Sequence, residues 1–137
     1  MTPDALLDTN VLLRHILGDH PDHSPRSSAL FDAIERGERA VRLADTVVFE
    51  AIFTLEKLYA VPRSLIRDAL RPILALPGIV LPGKRVHQDA FIRWVAEPGV
   101  SYADSYHLSL AKHLNLNTII SFDRHLGRDP EVTRIEP

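Results

Sequence analysis

The stretch LLDTNVLLR, residues 6–14, decides the fold of this chain. A short apolar run, Ala5–Leu7, ends at Asp8 and has the composition of a buried strand. The two polar residues after Asp8 are helix-capping types, and residues 11–17 predict a helix that stops at Gly18. A strand that passes directly into a helix through an acidic residue is typical of α/β proteins.

The same alternation of short strands and longer helices continues along the chain. Further helices are predicted over 25–35, from Asp45 or Thr46 to Tyr59, from Pro62 to just before Pro77, over 86–96 and over 101–113. Short strands are predicted at 40–43, 79–81, 118–120 and 132–135. This order predicts an α/β fold with a central, mostly parallel sheet of four to five short strands and helices on both faces. No linker composition interrupts it, so a single domain over residues 1–137 is expected.

Composition excludes several classes of function. The chain has 137 residues, 45% hydrophobic and 25% charged, as in soluble globular domains. Cysteine is absent, which excludes disulfides, thiolate metal sites and a cysteine nucleophile. The net charge of −2 argues against coating nucleic acid by bulk charge. No apolar stretch reaches the roughly 18 residues of a membrane helix, and Asp4 and Asp8 interrupt any signal-peptide core, so a cytoplasmic protein is expected.

Two acidic residues follow predicted strands. Asp8 comes after the first strand, and Asp123 follows the late strand in TIISFDRHL, residues 118–126. In open parallel sheets, binding and catalytic residues collect beyond the carboxyl ends of the strands. Each aspartate taken alone is better explained as a helix cap or a turn residue than as a binding or catalytic residue.

Two further acids lie on predicted helices. Glu50 stands in the apolar segment VVFEAIFTL, where a buried charge would need a partner or a cation. It also forms a polar stripe with Thr54 and Lys57 at helical spacing, which favours an exposed position instead. Asp104 and Ser101 fit the pattern of a helix capping box, and such a helix start also brings the carboxylate of Asp104 near the positive end of the helix dipole.

The four acids become informative as a set. Carboxylates about 4 Å apart repel by roughly 4 kcal/mol per pair at an effective dielectric near 20. A divalent cation makes such a cluster tolerable, and all-oxygen ligands select Mg²⁺ or Mn²⁺ over zinc. Such ions activate water for attack on a phosphodiester.

Four segments together resemble one known family. They are LLDTNVLLR (6–14), FEAIFTLEKLY (49–59), YADSYHLSLAKH (102–113) and TIISFDRHL (118–126). In this order and spacing they are similar to the motifs of PIN domains, in particular those of the VapC-like toxins of bacterial toxin–antitoxin pairs. The resemblance covers nearly the whole chain. It departs at Ser101, where family members often carry an aspartate.

The resemblance implies a role for particular residues. The acidic metal-binding and catalytic cluster would consist of Asp8, Glu50, Asp104 and Asp123. Polar residues that hold these carboxylates would be Thr9, Asn10 and Ser121. Basic residues close to them in sequence are Arg14, Arg124, His125 and Arg128. They are candidates for binding RNA phosphates, although ordinary surface charge is a sufficient reason for the presence of any one of them.

The function that the resemblance implies is that of a Mg²⁺- or Mn²⁺-dependent endoribonuclease, the toxin of a toxin–antitoxin pair. Its expected partners are an RNA substrate, a cognate antitoxin and a second copy of the chain in a homodimer, without a membrane. A non-catalytic RNA- or partner-binding PIN-like module is an alternative. A phosphatase with Asp8 as nucleophile is disfavoured, since such enzymes typically carry a second aspartate where Asn10 stands.

Overall fold

A computed structural model describes residues 2–137. Its helices are α1 (Thr9–Leu17), α2 (His23–Glu35), α3 (Asp45–Phe53), α4 (Arg63–Ala75), α5 (Lys84–Ala96) and α6 (Tyr102–His113). A π-helical turn, Thr54–Leu58, continues α3, and a 3-10 turn spans Arg124–Arg128. The strands are β1 (Val41–Arg42), β2 (Ile79–Val80), β3 (Thr118–Ile120) and β4 (Thr133–Ile135). The chain divides into two compact units, the first ending at Pro82 and the second running Gly83–Pro137.

The first unit contains a two-stranded parallel sheet. In it Val41 of β1 lies opposite Ile79 of β2, and both are buried. Leu6 adds one parallel bridge, to Arg42. The predicted first strand is therefore reduced to a single bridge, which still carries the chain into α1. Gly78 allows the approach to β2, because a Cβ at this position would lie 2.7 Å from the carbonyl oxygen of Arg39.

The second unit contains the other two-stranded parallel sheet, with Ile119 of β3 opposite Arg134 of β4. A small apolar cluster lies beside it, formed by Leu108 of α6, Leu126 of the 3-10 turn and Val132, with Ile119 packed against them. These contacts hold α6 and the segment after β3 together, which matters because each carries one of the predicted acids.

The helix ends follow the capping chemistry of the sequence. Asp8 is the N-cap of α1, and Gly18 ends that helix in the left-handed region at φ +60°. Ser101 is the N-cap of α6. The helix predicted from Asp45 to Tyr59 begins as expected, but its last part is π-helical.

The α/β class and the parallel pairing of short strands agree with the prediction. Hydrogen bonds group the described strands into two pairs, one in each unit. The expectation of a single domain over residues 1–137 stays a prediction. None of the helices found in residues 2–137 combines the length and apolar character needed to cross a membrane.

Candidate active site

Asp8 lies at the N-terminus of α1, with an exposed side chain. Its Oδ2 accepts a hydrogen bond from the backbone N–H of Asn10, 3.3 Å away. Asp8 is therefore a helix cap, the simpler of the two interpretations of this residue. The cap uses one carboxylate oxygen, and an exposed aspartate at the positive end of a helix can still offer the other to a cation.

Thr9 joins this helix terminus to a second predicted acid. Its side chain is 8% exposed, and its Oγ1 donates a 3.1 Å hydrogen bond to Oε2 of Glu50 on α3. The two residues are 41 positions apart in sequence. Asp8 immediately precedes Thr9, so this bond brings the backbone at Asp8 and the carboxylate of Glu50 into one neighbourhood.

Glu50 occupies the solvent side of α3. Glu50 and Lys57 are exposed, whereas Val48 and Ala51 on the same stretch of helix are fully buried. The polar-stripe interpretation of this segment is therefore correct, and the buried-charge interpretation is wrong. Because Glu50 is exposed, its carboxylate keeps its contact with water and does not require a cation. The same exposure makes the carboxylate accessible to a cation.

Asp104 lies in the first turn of α6 and is half-buried. Its backbone N–H donates to Oγ of Ser101 at 3.1 Å, which is the serine half of a capping box. The cap involves the backbone of Asp104. Its carboxylate accepts no hydrogen bond from the residues that the structure describes, so the two interpretations of this residue are compatible.

Asp123 caps the 3-10 turn after β3. Its Oδ1 accepts from the backbone N–H of His125 at 2.9 Å, and its own N–H donates to Oγ of Ser121 at 3.0 Å. Arg134 fixes the same segment, since its Nη1 donates to the carbonyl oxygen of Ser121 at 2.9 Å. Ser121 thus positions the backbone of Asp123 rather than its carboxylate.

In each unit, packing or hydrogen bonding links the segments that carry one pair of predicted acids. In the first unit the pair is Asp8 and Glu50, linked through Thr9. In the second unit, Leu108 lies one helical turn after Asp104, and Leu126 lies three residues after Asp123; both leucines pack in the same apolar cluster.

No group of three or more His, Asp or Glu side chains within residues 2–137 is arranged to hold a metal ion. A centre of all four acids stays a prediction.

The candidate phosphate-binding residues fall into two kinds. The guanidinium of Arg14 already has hydrogen-bond partners in the chain: it donates to the carboxylate of Asp19 at 2.7 Å and to the hydroxyl of Tyr59 at 3.3 Å. The hydrogen bond to Tyr59 and the charge of Asp19 raise its pKa despite partial loss of solvent. By contrast, Arg124, His125 and Arg128 are exposed on the 3-10 turn and form no ion pair with the described part of the chain.

Sequence reasoning missed two residues that support the site. Tyr59 receives the Arg14 hydrogen bond across 45 positions, and Arg134 holds the backbone at Ser121. The π-helical turn before Tyr59 gave no signal in the sequence. Arg134 could have been proposed from strand pairing alone, because β4 runs parallel to β3 and places it opposite Ile119, two residues before Ser121.

These features define an α/β protein with acidic residues at strand ends and helix starts. Residues 5–130 match the PIN domain family, and the chain belongs to that family. It is also similar over nearly its full length to two mycobacterial proteins: a VapC ribonuclease of Mycobacterium bovis and ribonuclease VapC13 of Mycobacterium tuberculosis. Identity to each is 27%, over 95% of this chain and 98% of the relative. The family expected from the four sequence segments is confirmed.

Proposed function

We propose that this chain is a metal-dependent endoribonuclease that hydrolyses RNA phosphodiester bonds. The observation that carries the proposal is the hydrogen bond from Thr9 to Glu50, which ties the start of α1, capped by Asp8, to the helix α3 that carries Glu50. It occurs in a PIN-family chain similar to two VapC ribonucleases across almost all of its length.

The chemistry of the donor set fits a hard divalent cation. The residues proposed to hold it are Asp8, Glu50, Asp104 and Asp123. They supply only carboxylate oxygens, which suit Mg²⁺ or Mn²⁺. A bound ion of this type lowers the pKa of water and stabilises the departing oxygen of a phosphodiester.

The neighbouring polar residues set the positions of these acids. Thr9 fixes one oxygen of Glu50 and leaves the other available, and Ser121 fixes the backbone of Asp123. The exposed basic residues that follow Asp123, namely Arg124, His125 and Arg128, are suited to bind the phosphates of RNA on either side of the cleaved bond.

The biological context we propose follows from the resemblance to the VapC-like toxins. The chain would be the toxin of a toxin–antitoxin pair in the cytoplasm, held inactive by a cognate antitoxin and acting as a homodimer. Copurification of a small protein encoded beside this chain, with loss of RNA cleavage in the complex, would support the pairing.

The test is RNA cleavage by the purified chain with Mg²⁺, with Mn²⁺ and with excess chelator. Asp8→Asn and Asp104→Asn should each lower the rate by at least about 100-fold, since even outer-shell partners of metal ligands change activity by 10–100-fold. Asp4→Asn is the matched control, because the side chain of Asp4 forms an exposed ion pair with Arg39. Cleavage that survives the chelator, or equal rates for the Asp8 and Asp4 variants, would contradict the proposal.

A further inference from the structure

A buried carboxylate that the proposed catalytic chemistry does not use lies directly after the basic 3-10 turn. Asp129 follows Arg128, the last residue of that turn, and its side chain is only 4% exposed. The turn itself carries three exposed basic side chains, those of Arg124, His125 and Arg128. The side chain that ends the turn is therefore buried, whereas the basic side chains on the turn are accessible to a ligand.

The carboxylate of Asp129 is bound from two helices of the second unit. Arg93 on α5 and Lys112 on α6 both contact its Oδ2, with Nζ of Lys112 at 3.2 Å. Its Oδ1 accepts a hydrogen bond from the backbone N–H of Glu131 at 2.8 Å. One carboxylate thus attaches the end of the turn to both helices, and α6 also carries Asp104.

The attachment at Asp129 is ionic, unlike the one in the middle of the turn, where Leu126 packs in the apolar cluster. Loss of hydration offsets much of the attraction in a buried ion pair, so such a pair is weak evidence for stability, and its best-attested contribution is one defined geometry. Burial of Asp129 acts in this way, since it raises the pKa of the carboxyl group against the lowering by its partners. The ion pairs therefore contribute more to the position of the turn than to the stability of the unit.

We propose that Asp129 is a positioning residue for RNA binding. By attaching the end of the turn to α5 and α6, it holds the basic side chains of the turn at a fixed place relative to the helix of Asp104. Cations that are already held in place bind phosphates with a smaller loss of conformational freedom than cations on a loose segment. The inference rests on the proposed function, because it takes the phosphates of RNA as the ligand of the turn.

The direction of the effect separates positioning from simple electrostatics. Asp129→Asn removes one negative charge beside the basic turn, and this loss alone would strengthen the binding of RNA. Loss of the attachment acts in the opposite direction, because the turn must then be ordered when RNA binds. We expect the dissociation constant for RNA to rise by about two- to tenfold, which corresponds to the cost of ordering one side chain.

The experiment titrates the chain into labelled single-stranded RNA in excess chelator, where binding is followed by fluorescence anisotropy at several salt concentrations. Glu131→Gln is the matched control, because it removes the same charge two residues further on, from a side chain that is 72% exposed. The control should bind RNA as tightly as the parent or more tightly. The dependence of binding on salt should fall by about one phosphate contact in Asp129→Asn and stay unchanged in Glu131→Gln.

A double-mutant cycle tests whether Asp129 acts through the turn. In an Arg124→Gln/Arg128→Gln background, Asp129→Asn should have little further effect on RNA affinity, because the side chains that it positions are absent. The same fold loss in this background as in the parent would show that Asp129 acts elsewhere and would overturn the inference.

Asp129→Asn keeps the shape of the side chain and an acceptor for the N–H of Glu131, so it should fold near neutral pH, which the amide spectrum checks. If it does not fold, Lys112→Gln/Glu131→Gln decides. This double variant leaves the net charge unchanged, removes one of the two cations on Asp129 and should weaken RNA binding by a smaller factor.

RNA binding as tight as that of the parent in the deciding variant, or no RNA binding by the parent itself, would overturn the inference. Failure of the proposed function has a different signature. Weakened RNA binding by Asp129→Asn in a chain that does not cleave RNA with Mg²⁺ or Mn²⁺ would support the role of Asp129 and contradict the nuclease.

Discussion

In the first unit, Thr9 on α1 donates a hydrogen bond to Glu50 on α3 across 41 positions of sequence. In the second unit, Asp104 and Asp123 are each held by a serine no more than three positions away. One pair of predicted acids is thus coupled by tertiary structure, and the other is fixed by local caps. A substitution at one long-range contact should therefore disturb the first pair together, whereas a lost cap should disturb one acid of the second pair.

In the second unit, the long-range contacts that hold the acid-bearing segments together are apolar and come from the cluster around Leu108 and Leu126. Leu108 follows Asp104 by one turn of α6, and Leu126 belongs to the turn that Asp123 caps. Local caps set the backbone of each acid, and apolar contacts bring the two capped segments together.

The largest effect is expected from Leu108→Ala. Leu108 is 1% exposed, so its truncation should lower the free energy of unfolding by about 2–5 kcal/mol through lost burial and a residual cavity. Urea denaturation followed by circular dichroism measures this. Leu114→Ala removes an exposed leucine just after α6 and should change stability by less than about 0.5 kcal/mol. Equal losses in the two variants would show that the apolar cluster does not support the unit.

The next effect tests the coupling in the first unit. Thr9→Val keeps the shape of the side chain but removes the donor to Glu50, so RNA cleavage and Mn²⁺ affinity should fall by about 10–100-fold. Thr9→Ser retains the hydroxyl and should restore most of the activity. Thr54→Val, on the continuation of α3, is the matched control. If Thr9→Val cleaves RNA like the control, Glu50 is positioned without this bond and the contrast between the units disappears.

The local elements of this fold were predictable from the sequence, because caps and turns depend on neighbouring residues. Ser101 indicated the start of α6, and that helix begins directly after it. For α1 the sequence offered Thr9 and Asn10 as caps of a helix over 11–17, whereas the helix begins at Thr9 with Asp8 as its cap. The exposed position of Glu50 was one of two alternatives that the apolar segment left open. Only the packing of α3 on its buried side, with Val48 inside, decides between them.

Features that depend on distant partners were not predictable. The strand expected over residues 5–7 is a single bridge, since its length depends on how much of β1 is available for pairing. The π-helical turn that places Tyr59 against Arg14 has no sequence signature, so the sequence indicated Arg14 only as surface charge or a candidate phosphate contact, without its partner Tyr59. The order and spacing of the four acids indicated the family without requiring any of these contacts.

A smaller effect is expected from the cap of Asp104. Ser101→Ala removes the acceptor for its backbone N–H and should lower stability by about 0.5–2 kcal/mol. Ser101→Asp retains a good cap and should keep the stability of the parent. The activity loss from Ser101→Ala should be smaller than that from Thr9→Val, because a local cap positions one acid only. The reverse order of activity losses would contradict the distinction between the two units.

The smallest effect is a pH dependence of stability that distinguishes the units. Burial of the Asp129 carboxylate raises its pKa, but hydrogen bonds from the N–H of Glu131 and from Arg93 and Lys112 oppose this, and the net pKa is lowered. A lowered pKa in the folded state gives stability that is present above the usual aspartate value of 3.8 and is lost as the pH falls through the lower, folded value. Because burial offsets much of the lowering, the change should be modest.

Urea denaturation between pH 6 and about pH 2.5 measures this dependence. Part of the decline in stability below about pH 4 should disappear in Asp129→Asn, because amide side chains do not titrate. Glu38 is the matched carboxylate of the first unit: the hydrogen bond from Arg36 lowers its pKa, but it is exposed. An exposed pair contributes little, so Glu38→Gln should leave the pH profile unchanged. If Glu38→Gln flattens the profile as much as Asp129→Asn does, the buried ion pairs of the second unit are not its acid-sensitive element.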